Sequence, residues 1–241
     1  ALGKVGAVVG KATLVAVGAA ATGVAALTKA AVASYAEYEQ LVGGVETLFK
    51  DSAGTVMQYA DNAYKTAGLS ANEYMDTVTS FSASLLQGLG GDTEAAAEMA
   101  NLAITDMADN ANKMGTDMAS IQNAYQGFAK QNYTMLDNLK LGYGGTASEM
   151  ARLINDSGVL GDTMAVTAET VNEVSFDKMI EAIHVVQTEL GITGTTALEA
   201  STTIQGSVAS MKSAWQNLLT GIADDSQDFD LLVNNFVDST V

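Results

Sequence analysis

Ser70-Ala-Asn-Glu-Tyr-Met-Asp-Thr-Val-Thr-Ser-Phe-Ser-Ala-Ser-Leu-Leu-Gln-Gly88 reads as one whole helix, with its start and stop written into it. Ser70 and Glu73 have the spacing of a capping box: the hydroxyl takes the N3 amide and the carboxylate reaches back to the cap amide. Tyr74, Val78, Phe81 and Leu85, at steps of four, three and four, fall on one face. The helix stops near Gly88.

The same grammar extends outward. Gly90-Gly91-Asp92 is the next stop and start, with Asp92 as N-cap and Glu94 in the first turn. Met99, Ala103, Met107, Ala111 and Met114 then share one side, a stripe that reads as core before it reads as a binding groove. Gly115 ends that helix. Ser120–Lys140 reads as two helical pieces divided near Asn132. Thr146/Glu149 and Thr196/Glu199 repeat the capping-box spacing, the first opening a short helix to about Ser157. Phe176, Met179, Ile180, Ile183, Val185, Val186 and Leu190 mark a buried helix ended by Gly191.

Toward the N-terminus, Gly68 suits the C′ position of a helix carrying Val56, Tyr59, Ala60, Ala63 and Tyr64, and Gly43-Gly44 reads as a break. Proline is absent from all 241 residues, so the strongest helix breaker is missing everywhere. Strand-like alternation is scarce. These features predict an all-α chain, a multi-helix bundle or elongated helical array with Gly-rich turns and coiled-coil seams. Three segments are expected: a hydrophobic Ala/Gly-rich helix over 1–42, a helical core module over 43–158, and a second helical segment over 159–241 that ends in a truncated helix.

Two stretches stand out as surfaces. Ile204, Val208, Met211, Trp215, Leu218 and Ile222 repeat at a 3.5-residue period, the seam of a helix–helix contact. Trp215 at its centre is expected to be buried and to emit in the blue. Near the N-terminus, 17 uncharged residues lie between Lys11 and Lys29, with Leu14, Val15, Val17, Val24 and Leu27 carrying the apolar weight. That is the lower edge of a membrane-spanning length, and Gly6 and Gly10 have a small-xxx-small spacing. A signal peptide fits poorly, since the helical pattern continues into Tyr35-Ala-Glu-Tyr-Glu39. A packed helix and a membrane-inserting segment both fit. The start at Ala1, without methionine, reads as a piece of a longer protein.

The formal charge is −17, divided as +1 over residues 1–50 and −18 over 51–241. Such a surface repels phosphate backbones, so direct nucleic-acid binding is not expected. Cysteine is absent and His184 is the sole histidine, so neither a disulfide nor a zinc site is expected and His184 reads as packed or half-exposed. No Gly-x-Ser-x-Gly elbow occurs. The clusters Gly88-Leu-Gly-Gly91 and Gly142-Tyr-Gly-Gly-Thr146 lack the Gly-Lys-Ser/Thr ending of a phosphate loop. Carboxylate pairs such as Asp106 and Asp109 arise by chance in so acidic a chain. No catalytic, cofactor-binding or metal residue is assigned.

Several longer words are distinctive. They are Gly68-Leu-Ser-Ala-Asn-Glu-Tyr-Met75, Phe81-Ser-Ala-Ser-Leu-Leu86, Asp109-Asn-Ala-Asn-Lys-Met-Gly115, Tyr125-Gln-Gly-Phe-Ala-Lys130, Leu139-Lys-Leu-Gly-Tyr-Gly-Gly145, Glu189-Leu-Gly-Ile-Thr-Gly-Thr-Thr196 and Thr203-Ile-Gln-Gly-Ser-Val208. Across residues 35–222 the chain resembles the core region of tail tape measure proteins of long-tailed, siphovirus-type bacteriophages and prophages. The resemblance implies a non-enzymatic scaffold that sets tail length while tube subunits assemble around it and that leaves during DNA ejection. It implies as partners the tail tube and tail-tip proteins, tail assembly chaperones, other copies of the chain and, during ejection, the host membrane. The implied location is the tail lumen of the virion, and the host cytoplasm during assembly. The competing class is a membrane-active, pore-forming or colicin-like helical protein, suggested by residues 5–34.

Overall fold

The computed structural model describes residues 20–161, 165–202, 204–224 and 228–239, with the backbone alone described for 20–28, 201, 202 and 204–207. The helices, in order, are α1 (Ala20–Phe49), α2 (Ala53–Thr66), α3 (Ala71–Gly88), α4 (Thr93–Met114), α5 (Met118–Phe128), α6 (Ala147–Ser157), α7 (Phe176–Glu189), α8 (Thr195–Thr202), α9 (Ile204–Ala223) and α10 (Phe229–Asp238). Short 3-10 turns at Lys50–Ser52, Leu136–Leu139 and Val171–Glu173 complete the described elements, and no strand occurs among them. The fold is all-α and compactly packed.

The Ser70 capping box forms as its sequence requires: Ser70 Oγ accepts the Glu73 amide at 3.3 Å and Glu73 Oε2 accepts the Ser70 amide at 2.8 Å. Tyr74, Val78, Phe81 and Leu85 are all buried. Asp92 caps α4 by accepting from the Glu94 and Ala95 amides. At its other end, Gly115 adopts φ 64°, a left-handed conformation that glycine enters without steric cost. α4 is central, packed against α1, α2, α3, α5, α7 and α8. Ala103 and Met107 of its stripe are fully buried, and Met99, Ala111 and Met114 pack against the core. One apolar core runs from Val45 to Ile192.

Several expectations need correction. Gly43-Gly44 does not break the chain, because α1 runs 30 residues through both. A mid-helix glycine costs only about 1 kcal/mol, and neither position is crowded: a Cβ at Gly44 would stand 3.5 Å from Thr79 Cγ2, an ordinary contact, and one at Gly43 would meet nothing within 4 Å. Residues 42 and 43 therefore belong to one helix. The Thr146 box is half formed. Thr146 accepts the Glu149 amide, but the Glu149 carboxylate turns to the Gly144 amide and Arg152. Leu190 is exposed at the end of α7.

The predicted seam on α9 is split. Leu218 and Ile222 are buried, whereas Val208 is 52 % and Trp215 37 % exposed, with Met211 half-buried between them. The side chain of Ile204 lies outside the described residues. The physical reason is that α9 docks through small and polar groups: Ser210, Ser213, Ala214 and Asn217 are buried alongside Leu218 and Ile222. Ser213 Oγ donates to the Gly68 carbonyl (2.8 Å), Asn217 Oδ1 accepts the Ala71 amide (2.8 Å), and the Thr220 and Ser34 hydroxyls bond at 2.6 Å. These bonds rotate the large apolar residues outward. Of the proposed membrane segment, Leu14, Val15 and Val17 lie outside the described residues, as do the side chains of Val24 and Leu27.

Between α5 and α6 the chain turns tightly. Gly145 lies against the Thr134 backbone so closely that a Cβ would overlap the Thr134 carbonyl. The aromatic run Tyr125–Phe128–Tyr133 precedes that turn in sequence, with ring centroids 5.8 and 6.4 Å apart.

Candidate functional site

The chemistry-bearing residues converge where α4 meets α7 and α8. Asp106, Asp109 and Asn110 stand at i, i+3 and i+4 on α4, so they share one side. His184 and Gln187 stand at i and i+3 on α7 and face them. Asp106, Asp109, Asn110 and Gln187 are all almost completely buried.

His184 Nδ1 lies 3.0 Å from both carboxylate oxygens of Asp106. Gln187 Nε2 donates to the Asp106 carbonyl at 3.3 Å, and Gln187 Oε1 accepts from Asn110 Nδ2 at 2.8 Å. Asn110 Nδ2 also donates to the Leu139 carbonyl at 2.9 Å. Asn110 Oδ1 and the Tyr125 hydroxyl are buried without a hydrogen-bond partner.

Asp109 performs a different task. Its Oδ2 accepts the Gly194 amide at 2.6 Å and its Oδ1 the Thr196 amide at 2.8 Å. The Thr195 hydroxyl donates to the Asp109 carbonyl at 3.3 Å. A carboxylate some 85 residues away in sequence thus supplies the N-terminal cap of α8, satisfying orphan amides and meeting the positive end of the helix dipole. The Thr196/Glu199 box expected from sequence is displaced by this remote cap, and the Thr196 hydroxyl is left buried and unpartnered.

The electrostatics follow from burial. Loss of water pushes the Asp106 carboxyl above its usual range, and the hydrogen bond and charge of His184 oppose that rise. The hydrogen bond to Asp106 raises the His184 imidazole, against its partial desolvation and with added help from the Asp106 and Asp109 charges. Burial, and then the Asp106 charge, push the Tyr125 phenol far up. Both members of the pair bind a proton more tightly folded than unfolded: burial disfavours the charge on Asp106, while the hydrogen bond to Asp106 favours the charge on His184.

An Asp–His pair can orient an imidazole and hold a proton on it. No hydroxyl is hydrogen-bonded to His184 among the described residues, and the same residues contain no group of three or more His, Cys, Asp or Glu placed to hold a metal. The arrangement ties α4 to α7 and α8. A cavity of about 260 Å³ opens beside it, lined by Ala67, Gly68, Ala108, Ala111, Met118 and Thr196 among others. It is smaller than most small-molecule sites.

Sequence reasoning passed over Asp106 and Asp109 as a chance pair. Asp109 and Lys113 have the i, i+4 spacing of an ordinary surface ion pair, which disguises a buried cap. No family model, curated protein or solved structure matches the chain.

Proposed function

We propose that this chain is a bounded helical module of a tail tape measure protein, a structural element of a scaffold that sets phage tail length and departs on DNA ejection. The observation that carries this reading is the set of long sequence words between Gly68 and Val208 that resemble the family's core region. On this reading the partners are tail tube and tail-tip proteins, assembly chaperones and other copies of the chain. The module occupies the tail lumen of the virion, with the host membrane met at ejection. Its strongly negative surface, −18 over residues 51–241, agrees with a lumen protein that does not hold DNA directly.

A compact module fits a ruler as one bead among extended segments, since helix rises only about 1.5 Å per residue and the glycine stops divide this chain into short pieces. In-frame shortening of the parent gene, with tails measured by electron microscopy, is expected to shorten the tails in proportion. Unchanged tails would overturn the reading.

The uncharged stretch between Lys11 and Lys29 favours a second reading, a membrane-active helical protein. Among the described residues no helix is long and apolar enough to cross a membrane. Liposome flotation of the chain with and without residues 1–34 separates the two readings: strong binding that needs no tail partner favours the second.

A further inference from the structure

α10 is an apolar helix with little burial. Phe229, Leu231, Leu232, Val233, Phe236 and Val237 make it largely apolar, yet none of its residues is buried. Leu231 is 54 % and Val237 50 % exposed. Phe236 meets Trp215 with ring centroids 5.3 Å apart, so α10 runs back along the outward side of α9. That side carries Val208, Met211 and Trp215 at i, i+3 and i+7, a helical stripe two turns long that the remainder of the described chain covers only in part.

The charge around the stripe is mainly negative. From Ser213 to Val241 there are five aspartates and no lysine or arginine. Asp228, Asp230 and Asp238 are exposed on or beside α10, against Lys212, which is exposed on α9 beside Met211.

We propose that this face, Val208–Met211–Trp215 on α9 continued by Leu231 and Val237 on α10, docks a basic amphipathic helix of a partner protein. The period of the apolar residues selects a helix, because knobs at i, i+3 and i+7 match the anchors of a helix laid in a groove. The aspartates select lysine and arginine on the flanks of that helix and speed its encounter. A second copy of this chain is disfavoured, since it would bring two aspartate-rimmed faces together. Trp215 and Phe236 supply the large aromatic surface on which such interfaces concentrate their binding energy.

Trp215 is the single tryptophan, so it reports occupancy directly. The full chain is titrated with a tryptophan-free Leu/Lys amphipathic peptide of about 18 residues, long enough to form a marginal helix that docking stabilises, and with its Leu/Glu counterpart. The Leu/Lys peptide is expected to shift Trp215 emission to the blue saturably, and the Leu/Glu peptide to leave it unchanged. The double variant Val208→Ser, Leu231→Ser, exposed positions that preserve the fold by circular dichroism, is expected to weaken Leu/Lys binding by about tenfold or more through lost apolar contact. Equal affinity of the double variant, which keeps every charge, would show charge attraction alone and overturn the proposal. Binding of neither peptide, equal binding of both, or a peptide-free blue shift that grows with self-association in sedimentation would overturn it too.

Discussion

The apolar core that runs from Val45 to Ile192 and the α9–α10 arm are both helical, but they are held by opposite means. The first is one continuous cluster in which Phe49, Tyr74, Met75, Ile104, Tyr125 and Phe128 are fully buried. The second reaches α1 and α3 through Ser213, Asn217 and Thr220, with Ala214, Leu218 and Ile222 as the buried apolar side chains among those described on α9. Apolar burial is shared among many neighbours and lost all at once. Hydrogen bonds at a helix face are few and individually worth about 1 kcal/mol. The core is therefore expected to unfold as a unit, and the arm to open below that transition.

The largest expected effect tests the core. Phe128→Ala removes a fully buried ring from the Tyr125–Phe128–Tyr133 packing and is expected to cost about 3–5 kcal/mol. Chemical denaturation followed by far-UV circular dichroism measures it, and a loss confined to one helix would contradict a single cooperative core. Next comes Asp109→Ala, which strips two backbone amides of their acceptor at a buried site. A cost of about 3 kcal/mol is expected, with hydrogen exchange accelerating first at Gly194 and Thr196.

His184→Ala leaves the buried Asp106 carboxyl without its hydrogen-bond partner and is expected to cost about 2 kcal/mol at neutral pH, below a fully buried pair because the imidazole is partly exposed. The raised folded-state value of His184 fixes the sign. Its contribution is complete below the unfolded histidine value, about 6.5, and disappears as pH rises through the higher folded value. Stability of the parent chain is expected to fall across that window and the variant to lose this component. An unchanged slope would remove His184 as its source.

Smaller effects probe the arm. Asn217→Ala deprives the Ala71 amide of its acceptor and is expected to cost about 1 kcal/mol, read as faster exchange in α9 with little change in the core. Spread of that loss to α4 and α7 would erase the distinction between the two regions. Phe236→Ala is expected to alter stability by about 0.5 kcal/mol or less, while moving Trp215 emission to the red from a starting point between buried and water-exposed.

What was legible in sequence was local. Ser70 and Glu73, Asp92, and Gly115 each act within one turn of themselves, so their pattern survives without the fold. The misreadings came from contacts across the chain. Asp109 took the cap that Thr196 was spaced to provide, Asn217 serves α3 from a distant helix, and α1 runs through Gly43-Gly44 into the packed core. Trp215 turned outward since hydroxyls and an amide settled the docking face before size could. The Asp106–His184 pair joins residues 78 positions apart, and nothing in either local pattern announces the other.

Gly145, pressed against the Thr134 carbonyl, sits in a position where any side chain collides with fixed backbone. A deep mutational scan is expected to place this surface-turn codon among the least tolerant in the gene, beside core positions such as Phe128. Among diverging relatives, change at this codon would then be written almost wholly in synonymous substitutions.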